Sequence, residues 1–270
     1  MLQKSEKLAV CDPVWSALRT DAQIIAEREP ALASLVQTTV LAHERLESAL
    51  AVRLAQKLGN GDMNAMAIRQ IMEEAHTASG EMGEAARADI VAVYERDPAC
   101  SRYIEPFLFF KGFLALQSYR IGHWLWANGR KDLALFLQNR ISEQFQVDIH
   151  PAAKIGRGIM MDHATGIVIG ETAMVEDGVS MLHGVTLGGT GKATEDRHPK
   201  IGRDVLIGAG AKVLGNIRIG HCAKIAAGSV VLHPVPPCAT VAGVPAKIVS
   251  ITEGCKPAVE MDQTIEGENI

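Results

Sequence analysis

Aromatic residues are scarce in this 270-residue chain, and none follows Phe145. The sequence has three Trp, three Tyr and six Phe, all between Trp15 and Phe145, whereas 18 of the 25 glycines come after Phe145. The second part must therefore fill its interior with Ile, Val, Ala and Gly. This change in composition predicts two different architectures that meet near positions 140–148.

Cysteines and long apolar segments are also few. The five cysteines are scattered and show no C-x-x-C spacing, so we expect reduced thiols in a cytoplasmic protein rather than a disulfide framework. The polar N-terminus predicts no secretory signal. The longest uncharged run, Ile225 to Ala246, contains four prolines, which would break a membrane-spanning helix.

An excess of positive charge is absent as well. The net charge is −4, and the segment 253–270, with five acids and one lysine, accounts for all of it. The rest of the chain is therefore close to neutral, which does not favour nucleic-acid binding. A segment as acidic and as poor in aliphatic residues as 253–270 is expected to be a flexible tail.

The part of the chain up to Phe145 has helical patterns. Asp12-Pro13 predicts a helix start, because Asp caps a helix and Pro fits its first turn. Apolar periodicity predicts further helices over residues 35–58, 62–78, 83–96, 106–128 and 131–145. We therefore expect an all-α domain of five to seven helices over residues 1–145.

The following residues repeat with a period of six. The repeat positions are Ile149, Ile155, Met161, Ile167, Ala173, Val179 and Val185, then Ile201, Ile207, Val213, Ile219, Ile225 and Val231, and more weakly Pro237, Gly243 and Val249. This period predicts a solenoid in which three short strands form a coil of about 18 residues. The polar, Gly-rich segment 186–200 interrupts the repeat and is expected to leave the coil as a loop, where function tends to concentrate.

Polar residues stand out against this repeat because a solenoid could fold without them. They are Asp148, Asp162, His163, His183, Arg197 and His198. Asp148 precedes His163 by nearly the length of one coil, so its carboxylate is expected to lie near enough to orient the imidazole. A histidine oriented by a carboxylate is a common general base near neutral pH. A purely structural role for His163 remains the alternative.

Several segments are more specific than the repeat itself. They are RDPAC (residues 96–100), DIHPAAKIGRGIMMDHATGIVIGET, VTLGGTGK, DRHPKIG, IGAGAKVLG and GVPAKIV. These segments resemble those of the serine O-acetyltransferases, a group within the hexapeptide-repeat acyltransferases. The resemblance implies an α+β chain: an all-α N-terminal domain (1–145), a left-handed parallel β-helix built from hexapeptide repeats (146–252) and the tail (253–270). It also implies transfer of acetyl from acetyl-CoA to the hydroxyl of L-serine, without a metal.

The resemblance assigns a role to each matching residue. The implied roles are general base for His163, its orienting partner for Asp148, ammonium binding for Asp97 and Asp162, carboxylate binding for Arg197 and His198, and contact with the pantetheine arm of CoA for Gly189, Ala209 and Ala227. Asp97 could instead be only a helix N-cap, and Arg197 only a solvated loop charge. His150 and His183 are expected to be structural.

Partners are implied by the same resemblance. It suggests a homo-oligomer, either a trimer or a pair of trimers, and L-cysteine as an inhibitor. The terminal Ile270 resembles the anchor by which the family binds O-acetylserine sulfhydrylase. No cysteine or serine is placed as an acyl carrier, so we expect direct transfer between the two bound substrates.

Three other readings of the sequence are weaker. Acetyl transfer to homoserine, a sugar or a xenobiotic would not need paired sites for ammonium and carboxylate. A zinc enzyme on the same fold would need two histidines about five residues apart on one coil, and the repeat has no such pair. A non-catalytic scaffold would have no reason to combine Asp148, His163 and His198.

Overall fold

The computed structural model describes residues 12–191, 194–252, 254 and 256–265. Its helices give way to strands near Gln146, as the composition predicts. The helices of the first part are α1 (Pro13–Arg28), α2 (Pro30–Val36), a π-helical turn (Gln37–Leu41), α3 (Leu46–Leu58), α4 (Ala65–Ala78), α5 (Glu81–Arg96), α6 (Ile104–Leu108), α7 (Lys111–Ala127) and α8 (Lys131–Phe145). Within the described residues this domain has eight α-helices, which exceeds the predicted five to seven.

The extra helices arise from two breaks that the periodicity does not reveal. The predicted helix 35–58 is interrupted before α3, where the Trp15 indole donates to the Glu44 carbonyl at 2.8 Å. The predicted helix 106–128 is interrupted after α6, where the Arg53 guanidinium donates to the Leu108 carbonyl. Both carbonyls have partners distant in sequence, so the chain can leave the helix without losing a hydrogen bond. The predicted start at Asp12 is confirmed, since Asp12 accepts from the Trp15 N–H at 3.0 Å.

The second part is a parallel β-solenoid with three faces. Face A consists of β1 (Val147–Ile149), β4 (Ile167–Ile169), β7 (Thr186–Gly188), β10 (Lys212–Leu214) and β13 (Val230–Val231). Face B consists of β2 (Lys154–Ile155), β5 (Met174–Val175), β8 (Lys200–Ile201) and β11 (Arg218–Ile219). Face C consists of β3 (Met160–Met161), β6 (Ser180–Met181), β9 (Leu206–Ile207), β12 (Lys224–Ile225), β14 (Ala239–Gly243) and β15 (Ala246–Ile251).

The chain passes from face A to B to C and back to A, which defines three corners named A–B, B–C and C–A. Among the described strands, all pairs are parallel except β14 with β15, which pair antiparallel and end the solenoid. Val249, expected as a repeat position, therefore lies on a hairpin and is 44% exposed. That expectation is wrong, because an antiparallel strand no longer stacks on the coil below it.

The first coil is longer than the repeat predicts. Ile149 pairs with Ile169 and Met161 with Met181, whereas Ile207 pairs with Ile225. The partners in the first two pairs are therefore two positions further apart along the chain than those in the third. The additional positions lie at the C–A corner between β3 and β4. Counting by six does not reveal this insertion. The count falls on Ile167, which is buried, although Ile169 is buried as well.

The predicted loop 186–200 is shorter than expected. Residues Thr186–Gly188 are β7, which pairs with β4 and β10, and Lys200 already belongs to β8. Leu187 is fully buried and continues the solenoid core. Of the residues that the structure describes in this segment, 189–191 and 194–199 leave the coil, at the A–B corner.

The tail is packed against the solenoid in its described part. A short helix α9 (Pro257–Glu260) buries Pro257 and Ala258, and the Ser180 hydroxyl donates to the Ala258 carbonyl at 2.7 Å. Part of the segment expected to be a flexible tail therefore contacts the solenoid. Ile270 lies outside the described residues. None of the described helices combines the length and apolarity needed to cross a bilayer.

Candidate active site

The insertion in the first coil includes His163, whose side chain projects from the C–A corner into solvent. His163 and Ala164 have φ values of 55° and 57°, the left-handed region that L-residues seldom adopt. The His163 side chain is 74% exposed, and its Nε2 lies 3.6 Å from Oδ2 of Asp162. Strain of this kind is often kept where a side chain is used in function.

Asp97 reaches the same corner from the helical domain. It is the C-cap of α5, and its Oδ1 accepts from the Ala99 N–H at 2.8 Å. The alternative that Asp97 is only a helix N-cap is therefore wrong. The preceding Arg96 donates to the Gly178 carbonyl at 3.1 Å and to the Ser180 hydroxyl at 3.0 Å. These bonds fix the end of α5, and hence Asp97, to the second coil.

The start of α7 completes a cleft between the two domains. A Cβ at Gly112 would stand 2.0 Å from the Met161 carbonyl oxygen, so this close approach requires glycine. The cleft has a volume of about 360 Å³. Its polar residues are Asp97, Asp162, His163 and Lys111, and its apolar residues are Val93, Ala99, Phe109, Phe110, Gly112, Phe113, Met160 and Met161.

The electrostatics of this cleft are dominated by its two carboxylates. The pKa of Asp162 is raised above its usual value, first by burial; the like charge of Asp97 adds to the effect, and His163 opposes it. The Lys111 ammonium donates to the Thr165 hydroxyl at the rim. Two carboxylates facing one cleft favour a cationic group, such as an ammonium, between them.

His183 lies one coil above His163 and was expected to be structural. The two rings are 6.0 Å apart in an edge-to-face arrangement. His163 and His183 have the same separation along the chain as the paired residues Ile149 and Ile169. Knowledge of the strand register would therefore have predicted that the two imidazole rings lie close together. Ala209 and Ala227 continue the same corner, because Gly210 N–H donates to His183 O and Gly228 N–H to Ala209 O, both at 2.8 Å.

Arg197 and His198 form a second cluster at the A–B corner. The Arg197 guanidinium is 2.6 Å from the Glu171 carboxylate, so Arg197 is not merely a solvated charge. The Thr172 hydroxyl accepts from the backbone N–H groups of Arg197 and His198 at 3.0 and 3.1 Å. Glu171 and Thr172 were not identified from the sequence, since each occupies an ordinary corner position.

The His198 ring is buried in this cluster. Its Nδ1 accepts from the Thr172 N–H at 3.2 Å, which in the neutral ring assigns the proton to Nε2. Burial lowers the pKa of His198, and the charge of Arg197 lowers it further. The Glu171 pKa is held down by its hydrogen bond from Arg197. The cluster thus presents one guanidinium and one neutral N–H donor, a set that suits a carboxylate.

The remaining predicted residues lie near these corners without joining His163. Asp148 belongs to β1 and accepts from the Gln138 amide at 2.7 Å. Among the described residues, the ion-pair partner of His163 within 4.0 Å is Asp162, not Asp148. A Cβ at Gly189 would lie 3.5 Å from Arg197 Cγ, which places Gly189 at the A–B corner. Orientation of His163 by Asp148 therefore remains a prediction.

The predicted site is divided between two corners of one solenoid, with face A between them. The C–A corner holds Asp162, His163, Ala209 and Ala227, with Asp97 added from α5. The A–B corner holds Gly189, Arg197 and His198. A helical domain on a parallel β-solenoid of this kind, with a histidine and carboxylates at one corner, defines an acyltransferase of the hexapeptide-repeat class.

Comparison with known proteins narrows this class. Residues 14–118 match the family described as "Serine acetyltransferase, N-terminal", and residues 198–233 match "Bacterial transferase hexapeptide (six repeats)". The serine acetyltransferase of Escherichia coli K12 is 59% identical over 256 residues, covering 95% of this chain and 94% of that protein. The chain belongs to the serine acetyltransferase family, which confirms the resemblance seen in the sequence.

Solved structures agree in fold. The serine acetyltransferase of Vibrio cholerae is 57% identical and superposes with a TM-score of 0.93, covering 94% of this chain and 98% of that one. A serine acetyltransferase solved in complex with cysteine gives the same TM-score at 56% identity and the same coverage. The Brucella abortus enzyme in complex with coenzyme A gives 0.89 at 54% identity, covering 91% and 98%.

Proposed function

We propose that His163 is the general base in the transfer of acetyl from acetyl-CoA to the hydroxyl of L-serine, which gives O-acetyl-L-serine and CoA. The observation that carries this proposal is the His163 corner, where an exposed imidazole stands beside a carboxylate and opens onto a cleft of about 360 Å³. A neutral imidazole takes the hydroxyl proton as the oxygen attacks the thioester carbonyl. Collapse of the tetrahedral adduct releases the CoA thiolate, and neither step calls for a metal.

L-Serine is held by its two charged groups. Asp97 and Asp162 line the cleft beside His163 and bind the ammonium. Arg197 and His198 bind the carboxylate, for which the guanidinium and the neutral imidazole N–H supply donors. Arg197 would then exchange part of its contact with Glu171 for the substrate.

The position of these groups supports a homo-oligomer. The ammonium site and the carboxylate site lie at different corners of one solenoid, separated by face A. One small amino acid reaches both only if the C–A corner of one copy meets the A–B corner of another. Three triangular solenoids arranged around a threefold axis satisfy this for three sites at once, and each interface is the same. We therefore assign the site to the interface of a trimer, with a pair of trimers as the larger assembly.

Acetyl-CoA lies along the same interface. Ala209 and Ala227 stack above His183 at the C–A corner, and their small side chains leave room for the narrow pantetheine arm. Gly189 contributes from the A–B corner. The related Brucella abortus structure with coenzyme A supports a CoA site in this family. Asp148 orients His163 after exchanging its present hydrogen bond with Gln138.

L-Cysteine and O-acetylserine sulfhydrylase are the remaining proposed partners. L-Cysteine keeps the ammonium and carboxylate of L-serine and replaces the hydroxyl by a thiol, so it competes for the same site. The related structure in complex with cysteine supports this. Binding of the sulfhydrylase through Ile270 rests on the sequence resemblance, since Ile270 lies outside the described residues.

The test is CoA release from acetyl-CoA with L-serine, homoserine, a sugar and a xenobiotic alcohol as acceptors. We expect turnover with L-serine and little with the others. His163→Ala should lower kcat by about 10²–10⁴-fold. His183→Ala is the matched control: it removes the imidazole one coil away, and its loss should stay below about tenfold. Retention of half the wild-type rate by His163→Ala would exclude His163 as the base.

A further inference from the structure

Two cysteines occupy equivalent positions on neighbouring coils at the B–C corner. Lys224 and Ile225 pair with Thr240 and Val241 as Cα partners, and the same register aligns Cys222 with Cys238. The backbone confirms this alignment, because the Cys238 N–H donates to the His221 carbonyl at 2.9 Å. The B–C corner is distinct from the two corners that hold the proposed active site.

The register places the two thiols within reach of each other. Neighbouring strands lie about 4.8 Å apart, and Cα atoms joined by a disulfide are usually about 4.4–6.8 Å apart. Cys222 and Cys238 have φ values of 54° and 57°, so their Cα–Cβ bonds leave the backbone in the same direction. Their Cβ atoms are then also about 4.8 Å apart, and a shift of a few tenths of an ångström brings them into the disulfide range of about 3.5–4.5 Å.

Cysteine is an unusual choice for this backbone conformation. Left-handed φ values favour glycine, and among other residues Asn and Asp. The equivalent positions of the earlier coils follow this preference, with Gly158 at 66°, Gly178 at 77° and Asp204 at 57°. Two successive cysteines at such positions therefore point to a use for their side chains.

Both thiols face the same partly open space. Each cysteine is neither fully buried nor fully exposed. They line one cleft of about 170 Å³ together with residues of β14, β15 and the packed tail. Both residues therefore line a space that a small reagent can enter, whereas Cys100 is buried elsewhere between the two domains.

We propose that Cys222 and Cys238 are a reversible dithiol–disulfide site. One thiolate attacks a low-molecular-weight disulfide such as oxidised glutathione; a mixed disulfide forms and one glutathione thiolate leaves. The other protein thiolate attacks the protein sulfur of that mixed disulfide, forms the protein disulfide and expels the second glutathione as a thiolate. In sum, two protein thiols are oxidised to one disulfide while one oxidised glutathione is reduced to two thiols. The new bond joins the last two coils.

The experiment equilibrates the full-length protein with graded ratios of oxidised and reduced glutathione, blocks the remaining thiols and digests with trypsin. The three C-terminal cysteines fall in separate peptides, 219–224, 225–247 and 248–270. We expect a cross-link between 219–224 and 225–247 that rises with the oxidised fraction and disappears on reduction. Both thiols should be lost together within one chain, as judged on a non-reducing gel.

Single variants provide the controls. Cys238→Ser should leave Cys222 with bound glutathione and no cross-link, and Cys222→Ser should do the same for Cys238. Cys255→Ser should keep the cross-link. Turnover of the reduced serine variants should stay within about twofold of wild type, because neither residue belongs to the proposed site. Independent glutathione adducts on both wild-type cysteines, a cross-link to peptide 248–270, or one between two chains would each overturn the proposal.

Discussion

A Cβ atom on Gly170 would stand 2.0 Å from Nε2 of His198, so these two residues fit together only because residue 170 has no side chain. The Gly170 N–H donates to the Leu187 carbonyl at 3.0 Å, which holds the backbone of the A–B corner in place. His198 is 7% exposed and has little room to move aside. The glycine therefore sets the position of the imidazole that we assign to the serine carboxylate.

Gly170→Ala is expected to weaken L-serine binding. The added methyl group must displace the His198 ring, and a misplaced donor loses about one hydrogen bond to a charged group. The KM for L-serine should rise about tenfold or more, with a much smaller change in the KM for acetyl-CoA. Steady-state kinetics with each substrate varied in turn provides the measurement.

Gly61→Ala is the matched control for this prediction. A Cβ at Gly61 meets no atom within 4 Å, and the position has no left-handed φ. This variant should behave as wild type in both KM values. If Gly170→Ala raised both KM values equally, the position of His198 would not determine serine recognition.

Local signals in the sequence predicted much of the fold. The Asp12 cap, the helical periods and the six-residue repeat depend on neighbours along the chain, and the structure confirms the helix start, the α8 boundaries and the solenoid. The breaks before α3 and after α6 depend instead on Trp15 and Arg53, whose partners lie 29 and 55 residues away. Such contacts leave no periodic signal.

The predictions for the site divide in the same way, into those that local sequence signals support and those that depend on contacts between distant parts of the chain. Asp162, His163, Arg197 and His198 were identified as polar residues that the repeat does not need, and the family resemblance implied their roles; the structure arranges them as two clusters. The proximity of His183 to His163 was not predicted, because it depends on the greater length of the first coil, and the buried pair Ile167 and Ile169 conceals that insertion. The separation of the clusters by face A is a property of strand order, which appears only in three dimensions.

Asp89 joins the helical domain to the solenoid. It is fully buried and accepts from Arg120 at 2.7 Å, from the Gln117 amide at 2.8 Å and from the Ile159 N–H at 2.9 Å. Arg120 also donates to the Gly156 carbonyl at 2.7 Å. Removal of one member leaves the other buried groups without partners. This lowers stability more than replacing the whole ion pair by apolar residues would.

Asp89→Ala is therefore expected to lower the free energy of unfolding by about 3–5 kcal/mol. Glu73→Ala serves as the control, since it breaks a surface pair with Arg69 whose side chains are 45% and 41% exposed, and its cost should stay below about 1 kcal/mol. Urea unfolding of the three proteins gives the comparison. Equal midpoints for both variants would show that the buried pair does not hold the domains together.

The stability of the helical domain is expected to depend on pH through His76. Both of its ring nitrogens are buried without a hydrogen-bond partner among the described residues. Burial lowers its pKa; Glu47 opposes this effect and Arg87 adds to it. The unfolded chain then takes up a proton near pH 6.5 that the folded chain resists. Stability from this group is present above that pH and is lost as the pH falls below it.

His76→Leu should therefore flatten the fall in the free energy of unfolding between about pH 7 and pH 5. Denaturant titrations of wild type and variant across this range measure the two slopes. His150 and His198 also have lowered pKa values, but they remain in both proteins and cancel in the difference. Parallel curves for the two proteins would contradict the assignment.

The proposed interface site predicts complementation between two defective variants. His163→Ala damages the C–A corner, and Arg197→Ala damages the A–B corner. In mixed trimers some interfaces combine the intact C–A corner of one copy with the intact A–B corner of its neighbour. With equal amounts and random assembly, half of the C–A corners and half of the A–B corners are intact. A wild-type site needs one intact corner of each kind, so about a quarter of the sites should be wild type.

Coexpression of the two variants, followed by assay at a low L-serine concentration, should therefore restore about a quarter of the wild-type rate. The control coexpresses His163→Ala with Asp162→Ala. Both substitutions affect the C–A corner, so no copy supplies an intact one and no wild-type site can form. A rate for the first mixture no higher than the mean of its two parents would place the whole site within one chain, because corners from different copies would then not act together.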